Sequence, residues 1–290
     1  MVYLMEKLLP DYLKELWQSV TRKQITAEEF YIEQEKKLSE YQNIWKRALL
    51  MEGHQDLQES LLSELALYLG YKDLTEIELR CKRAGAAVQS EWQGRVNTDD
   101  RQSVERFYNE SEAEIYGLLW WHTLSEDASP LAYVMALHFA KKQECRSYLD
   151  FGAGVGSGGI LLARHGLSVT LADISSPLLR FSQWRFVTRG LPAQFIDLKT
   201  GGLPNGAFDI VTAMDVFEHL FDPVRAIEEL WKALKPGGFL LGRFHSEPND
   251  DRAGHIVRDF RPTFERMKEL GLVEVWRDEW LWGHQVFQKS

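Results

Sequence analysis

The chain has 290 residues, 44% hydrophobic and 27% charged, with a formal net charge of −9. That is enough for one large or two ordinary globular domains, and the acidic balance argues against a protein that grips nucleic-acid phosphates. The two cysteines, Cys81 and Cys145, lie far apart with no CxxC, so neither a zinc knuckle nor a disulfide framework is supported. No apolar run of about 18 residues predicts a membrane span, and the N-terminus does not read as a signal peptide. A cytoplasmic location is the default expectation. The basic cluster KKQECR, Lys141 to Arg146, reads as a solvated helix end.

In chain order, the first half reads as helix. Leu8, Tyr12, Leu13, Leu16, Trp17 and Val20 recur at three and four. Thr26 with Glu29 forms a capping-box pattern, opening a helix through Leu38, Ile44 and Trp45 toward Met51. Leu57, Leu61, Leu65 and Leu69 make a stripe that Gly70 stops. Asp73 can cap the next helix, and Asp99, Asp100 and Ser103 crowd a further start before VERFYNE. AEIYGLLWWHTL follows, and after Ser129 and Pro130 comes LAYVMALHFAKK. We expect an all-α domain over residues 1–127, acting as a lid, as a homodimer interface, or as both.

After residue 146 the pattern changes to strands alternating with helices, and a second domain is expected over residues 128–290. SYLDF, SVTLAD, AQFID, FDIVTAMD and GFLLGRF read as strands. Between them SGGILLARH, SPLLRFSQWRFVTR, PVRAIEELWKALK and FRPTFERMKEL read as helices. This predicts an α/β domain with a mostly parallel sheet covered on both faces. The closing runs GLVEVWRD and HQVFQKS are joined too closely for a crossover, so they should be antiparallel.

Five glycines fall within residues 152–159, between the first strand and its helix. Backbone this free at a strand end lets a ligand approach the helix N-terminus. A P-loop is excluded, because no Lys-Ser or Lys-Thr follows. Gly154, Gly156 and Gly159 satisfy GxGxxG, and Asp173 lies near the offset of a ribose-binding acid, so a nicotinamide cofactor stays open at this point.

The later motifs extend the pattern. YLDFGAGVG, then LADIS, FIDL, FDIVTAMDVFEHL and LWKALKPGGFLLGR, resembles the ordered motif set of class I S-adenosylmethionine-dependent methyltransferases, over about residues 130–290. The resemblance implies a Rossmann-like seven-stranded, mostly parallel sheet with an antiparallel last strand. It also implies S-adenosylmethionine as cofactor and S-adenosylhomocysteine as product. By that resemblance Asp150 orients the methionine end, and Gly152, Ala153 and Gly154 present backbone to it. Asp173 accepts the ribose hydroxyls, and Ile174 packs on the adenine. Asp197 takes the adenine amino group, beside Leu198. Ala213 and Met214 offer backbone near the methionine amine, and Tyr108 folds over the cofactor. The alternatives are a helix cap for Asp173 and a turn for Asp197.

The chemistry is less legible. Methyl transfer is an in-line displacement in which the protein supplies alignment. Asp215 and His219, four apart in DVFEHL, are the candidate catalytic groups, although Glu218 and His219 also read as residues that cap and pack a short helix. No Asp–Asp–Asn cluster is evident, so no metal is expected. The acceptor is expected between two segments. One is the loop after the fifth strand, with Arg243, His245, Asn249 and His255. The other is RFYNESEAEIYGLLWWH, where Phe107, Tyr108 and Tyr116 are candidate lids and Trp120 and Trp121 either line the pocket or pack the core. The expected function is methyl transfer to a small molecule, at an O, N or C atom, with no nucleic-acid or membrane partner. The rivals are an NAD(P)-dependent oxidoreductase, a non-catalytic cofactor-binding regulator or scaffold, and a protein or RNA methyltransferase.

Overall fold

The computed structural model describes residues 7–111, 113–245 and 252–290. Its first half is helical: α1 (Leu9–Thr21), α2 (Ala27–Leu49), α3 (Leu57–Leu69), α4 (Leu74–Arg95), α5 (Arg101–Glu110), α6 (Ala113–Trp121) and α7 (Ala132–Lys142). Local chemistry sets several starts. Thr26 and Glu29 complete the capping box of α2, and Asp56, Asp73 and Asp100 accept from the first turns of α3, α4 and α5. Gly70 ends α3 at φ 75°, which a residue with a Cβ adopts only under strain.

The second half supplies β1 (Ser147–Phe151), α8 (Ser157–Arg164), β2 (Ser168–Asp173), α9 (Ser176–Thr188), β3 (Gln194–Asp197) and β4 (Phe208–Ala213). It continues with α10 (Pro223–Ala233), β5 (Leu234–Gly242), α11 (Arg261–Glu269), β6 (Leu272–Arg277) and β7 (Gln285–Lys289). The sheet order is β3-β2-β1-β4-β5-β7-β6. β1 to β5 pair in parallel, and β7 runs antiparallel to both β5 and β6. The expected α/β architecture and reversed last strand are present. Strand order reverses between β1 and β4, so their carboxyl ends open a crevice.

Two boundaries depart from expectation. β4 ends at Ala213, and Asp215 lies beyond it at φ 49°. The LKPGG segment belongs to β5, whose register against β4 jumps from Phe208–Leu234 to Ile210–Phe239. A Cβ on Gly238 would sit 2.9 Å from the Lys235 carbonyl oxygen, so this bulge closes around glycine.

Alternate residues of β1 serve opposite faces of the sheet. Leu149 and Phe151 join the core under α10 and α11, while Tyr148 joins a core shared with α1, α2, α3, α7, α8 and α9. The helical half therefore shares a core with the sheet. Trp45 of α2, fully buried, stacks on Tyr133 of α7 with ring centroids 5.9 Å apart and donates to the His122 carbonyl at 3.0 Å. Among the described residues, no helix is long and apolar enough to cross a membrane.

Candidate active site

A cavity of about 570 Å³ opens at the carboxyl ends of β1, β2 and β4, within the usual range for small-molecule sites. The glycine loop forms one wall, with Gly152, Ala153 and Gly154 lining it. Gly152 has φ 72°, and a Cβ there would fall 2.5 Å from Val216 Cγ2. The later glycines answer to packing instead. A Cβ on Gly158 would enter the Tyr133 ring, and one on Gly159 would meet Leu171 at 3.1 Å. The loop thus has two functions: its start shapes the cavity and its end admits core side chains.

Asp173 ends β2 facing this loop. Its two carboxylate oxygens accept from the backbone N–H groups of Gly154 and Ser175, each at 2.8 Å. Burial raises its pKa, and these donors oppose the shift. Ser175, not Asp173, caps α9, so the carboxylate is not a helix cap. Ile174 and Leu198 line the cavity beside it, and Leu198 N–H donates to the Asp173 carbonyl at 3.0 Å.

Three expected cofactor residues stand outside the cavity wall. Asp150 is fully buried, accepts from Tyr133 Oη at 3.3 Å and from Thr212 Oγ1 at 3.1 Å, and leaves Oδ2 unpartnered. Burial pushes its pKa up to about 7. Tyr133, which no sequence motif singles out, lines the cavity in its place. Ala213 is buried, while the next residue, Met214, does line the wall. Asp197 turns toward Ser176 Oγ at 2.8 Å and the Lys199 N–H at 3.0 Å.

Beyond β4 the chain makes a tight turn and one 3₁₀ turn, Phe217–His219. Asp215 pairs with Arg243 at 2.8 Å. His219 is held elsewhere: its Nδ1 lies 3.1 Å from Tyr108 Oη of α5. Burial first, and then neighbouring His255, lower its pKa to about 4. Burial thus favours the neutral imidazole, the form that accepts a proton, and disfavours the imidazolium that acceptance would create. Glu218 is buried against the cavity, with Oε2 unpartnered. Burial, then the Asp215 charge, push its carboxyl up to about 8.

The acceptor candidates divide. Arg243, His245 and His255 line the cavity, while Asn249 lies outside the described residues. Tyr116 is a correction. It stands on the other side of α6, beside Arg80, whose guanidinium sits 5.9 Å from its ring centroid, in a separate groove. Phe107 also turns away, packing edge-on against Trp92 at 5.0 Å. Trp120 and Trp121 line the cavity, and Trp120 is also buried. Glu114, in the first turn of α6, faces the cavity too; burial, then Asp173, raise its pKa to about 7. No pattern in the sequence marked it, because a lone acid on an apolar helix has no motif.

Residues 149–240 match the family model of a methyltransferase domain. Phosphoethanolamine N-methyltransferase of Triticum aestivum is 25% identical over 229 residues, covering 71% of this chain and 42% of that protein. Demethylmenaquinone methyltransferase of Thermus thermophilus is 32% identical over 127 residues, covering 42% of this chain and 58% of that protein. The chain spans about half the length of these curated relatives. Among solved structures, the PH0226 protein of Pyrococcus horikoshii OT3 aligns with TM-score 0.46 and 19% identity, covering 56% of this chain and 90% of that one. The family match decides between the two readings of the glycine loop in favour of the methyl donor. Residues 149–240 of this chain therefore form a methyltransferase domain of the class I S-adenosylmethionine-dependent kind.

Proposed function

We propose that the protein transfers the methyl group of S-adenosylmethionine to a small-molecule acceptor that binds under α4, α5 and α6. The observation that carries this reading is the continuity of the cavity. It runs from the glycine loop and Asp173, past Met214 and Asp215, to a wall of Leu118, Trp120 and Trp121. The residues at its first end fit the cofactor: a backbone cradle where a Cβ would collide, and a carboxylate facing it. Gly152 to Gly154 would hold the methionine end, Asp173 the ribose, and Ile174 and Leu198 the adenine. When bound, the cofactor supplies an electrophilic methyl carbon.

The remaining chemistry falls to this chain. Asp215, clamped by Arg243, sets the acceptor side of the site. The apolar wall excludes water and orients the acceptor, the main contribution a protein makes to such a displacement. We assign α4 to α6 the role of a roof, since Val88, Tyr108, Leu118 and Trp121 all reach the cavity from them. Phosphoethanolamine and quinone-type methyltransferases among the relatives support an acceptor of metabolite size.

Calorimetric titration with S-adenosylhomocysteine and with NADH tests the reading. We expect saturable binding of the first alone, weakened at least tenfold in Asp173→Ala. Binding of NADH without S-adenosylhomocysteine would overturn it.

A further inference from the structure

We propose that Glu218, His219 and His255 form a binding site for a divalent transition-metal cation at the acceptor end of the cavity. One ligand atom from each of the three residues lies within 4.8 Å of the others. Ligands of a tetrahedral metal at about 2.1 Å stand about 3.4 Å apart, so small side-chain rotations close the triangle. This reverses the expectation of no metal, which rested on seeking an Asp–Asp–Asn set.

Several further features point to a cation. Glu218 is 3% exposed, and its Oε2 has no hydrogen-bond partner although it faces the cavity. Buried carboxylate oxygens are rarely left so. Tyr108 Oη lies 3.1 Å from Nδ1 of His219, and in the tautomer whose Nδ1–H donates to it, Nε2 is the ligand atom. A hydrogen bond to the second ring nitrogen is how metal-binding imidazoles are held in their tautomer. His255 comes from 36 residues downstream of His219, yet its place is fixed by backbone. The N–H groups of Ile256 and Val257 both donate to the Glu218 carbonyl, at 2.9 and 3.1 Å. Gly254 lets the strand of chain pass, since a Cβ there would lie 2.7 Å from His219 Nδ1. Asp215 is taken up by Arg243 and stays outside the set.

Two imidazoles and one carboxylate suit zinc, cobalt, iron or nickel better than magnesium or calcium, which prefer oxygen donors. Three protein ligands leave positions open toward the cavity, where an oxygen atom of the acceptor can bind. A cation there would lower the pKa of an acceptor hydroxyl.

The test uses the untagged full chain, stripped with chelator and titrated with zinc chloride. We expect one equivalent per chain, visible d–d absorption when cobalt chloride replaces zinc, and at least tenfold weaker zinc binding in His255→Ala and in Glu218→Gln. S-adenosylhomocysteine titration of both variants shows that they remain folded, and it separates this proposal from the methyl-transfer reading. Absence of stoichiometric zinc in the unaltered chain, zinc affinity unchanged in folded His255→Ala and Glu218→Gln, or preference for magnesium would each overturn the proposal.

Discussion

Arg185 on α9 joins the glycine loop to Glu64 on α3. Its Nη1 donates to the Val155 carbonyl at 2.6 Å and to Ser157 Oγ at 2.8 Å, while its Nη2 pairs with Glu64 Oε2 at 3.0 Å. Glu64 and Arg185 are fully buried, and Arg189 adds a second cation to the same carboxylate. The helical half thereby braces the segment that shapes the cavity.

Glu64→Gln should therefore be costly. It would leave two arginines in the core with no counter-charge, and breaking a buried pair from one side costs about 3–5 kcal/mol. Urea denaturation should show that loss, with weaker S-adenosylhomocysteine binding at sub-denaturing concentrations. A change below about 1 kcal/mol would mean that solvent reaches the pair.

Gly158→Ala should destabilise through one added methyl. The new carbon would enter the Tyr133 ring, and overpacking of this kind costs about 1–3 kcal/mol. Gly94→Ala in α4 is the control. Nothing lies within 4 Å of a Cβ there, so the change should be neutral or stabilising by up to about 1 kcal/mol. Equal melting shifts in the two variants would refute the packing account.

Asp150 should make stability pH-dependent. Its folded pKa of about 7 lies above the ordinary value of 3.8, so the native state holds more protons than the unfolded state between them. Stability from this group is full below about pH 4 and lost as the pH rises through about 7. Between those two values the loss runs at about 1.4 kcal/mol per pH unit, and Asp150→Asn should abolish it. Urea midpoints of both proteins at about pH 5 and pH 8 give the comparison. A wild-type-minus-variant difference that stays constant with pH would show that Asp150 titrates normally.

Gly154→Val should separate binding from folding. Gly154 has φ 53°, and a Cβ would stand 3.1 Å from Leu118 Cδ1 at the cavity wall. We expect a cooperative melt and at least about 100-fold weaker S-adenosylhomocysteine binding, roughly 3 kcal/mol. Retained affinity would move the cofactor away from this loop.

Local chemistry in the sequence determined much of this protein. Helix starts at Thr26, Asp73 and Asp100, the strand and helix alternation after residue 146, and the close antiparallel end are all written in neighbouring residues, because caps and periodicities act within a turn or two. The glycine loop and Asp173 were legible for the same reason, since motif and element coincide. Facing and distance were decided only by the tertiary structure. Tyr116 and Glu114 are two residues apart on α6 and point to different cavities, which no spacing rule settles without knowing what packs on each face. His255 meets Glu218 only because the backbone at Ile256 and Val257 returns to it. Burial moves the pKa of His219 down and that of Asp150, set behind Tyr133, up, because desolvation depends on every element packed around a group and not on its neighbours in sequence.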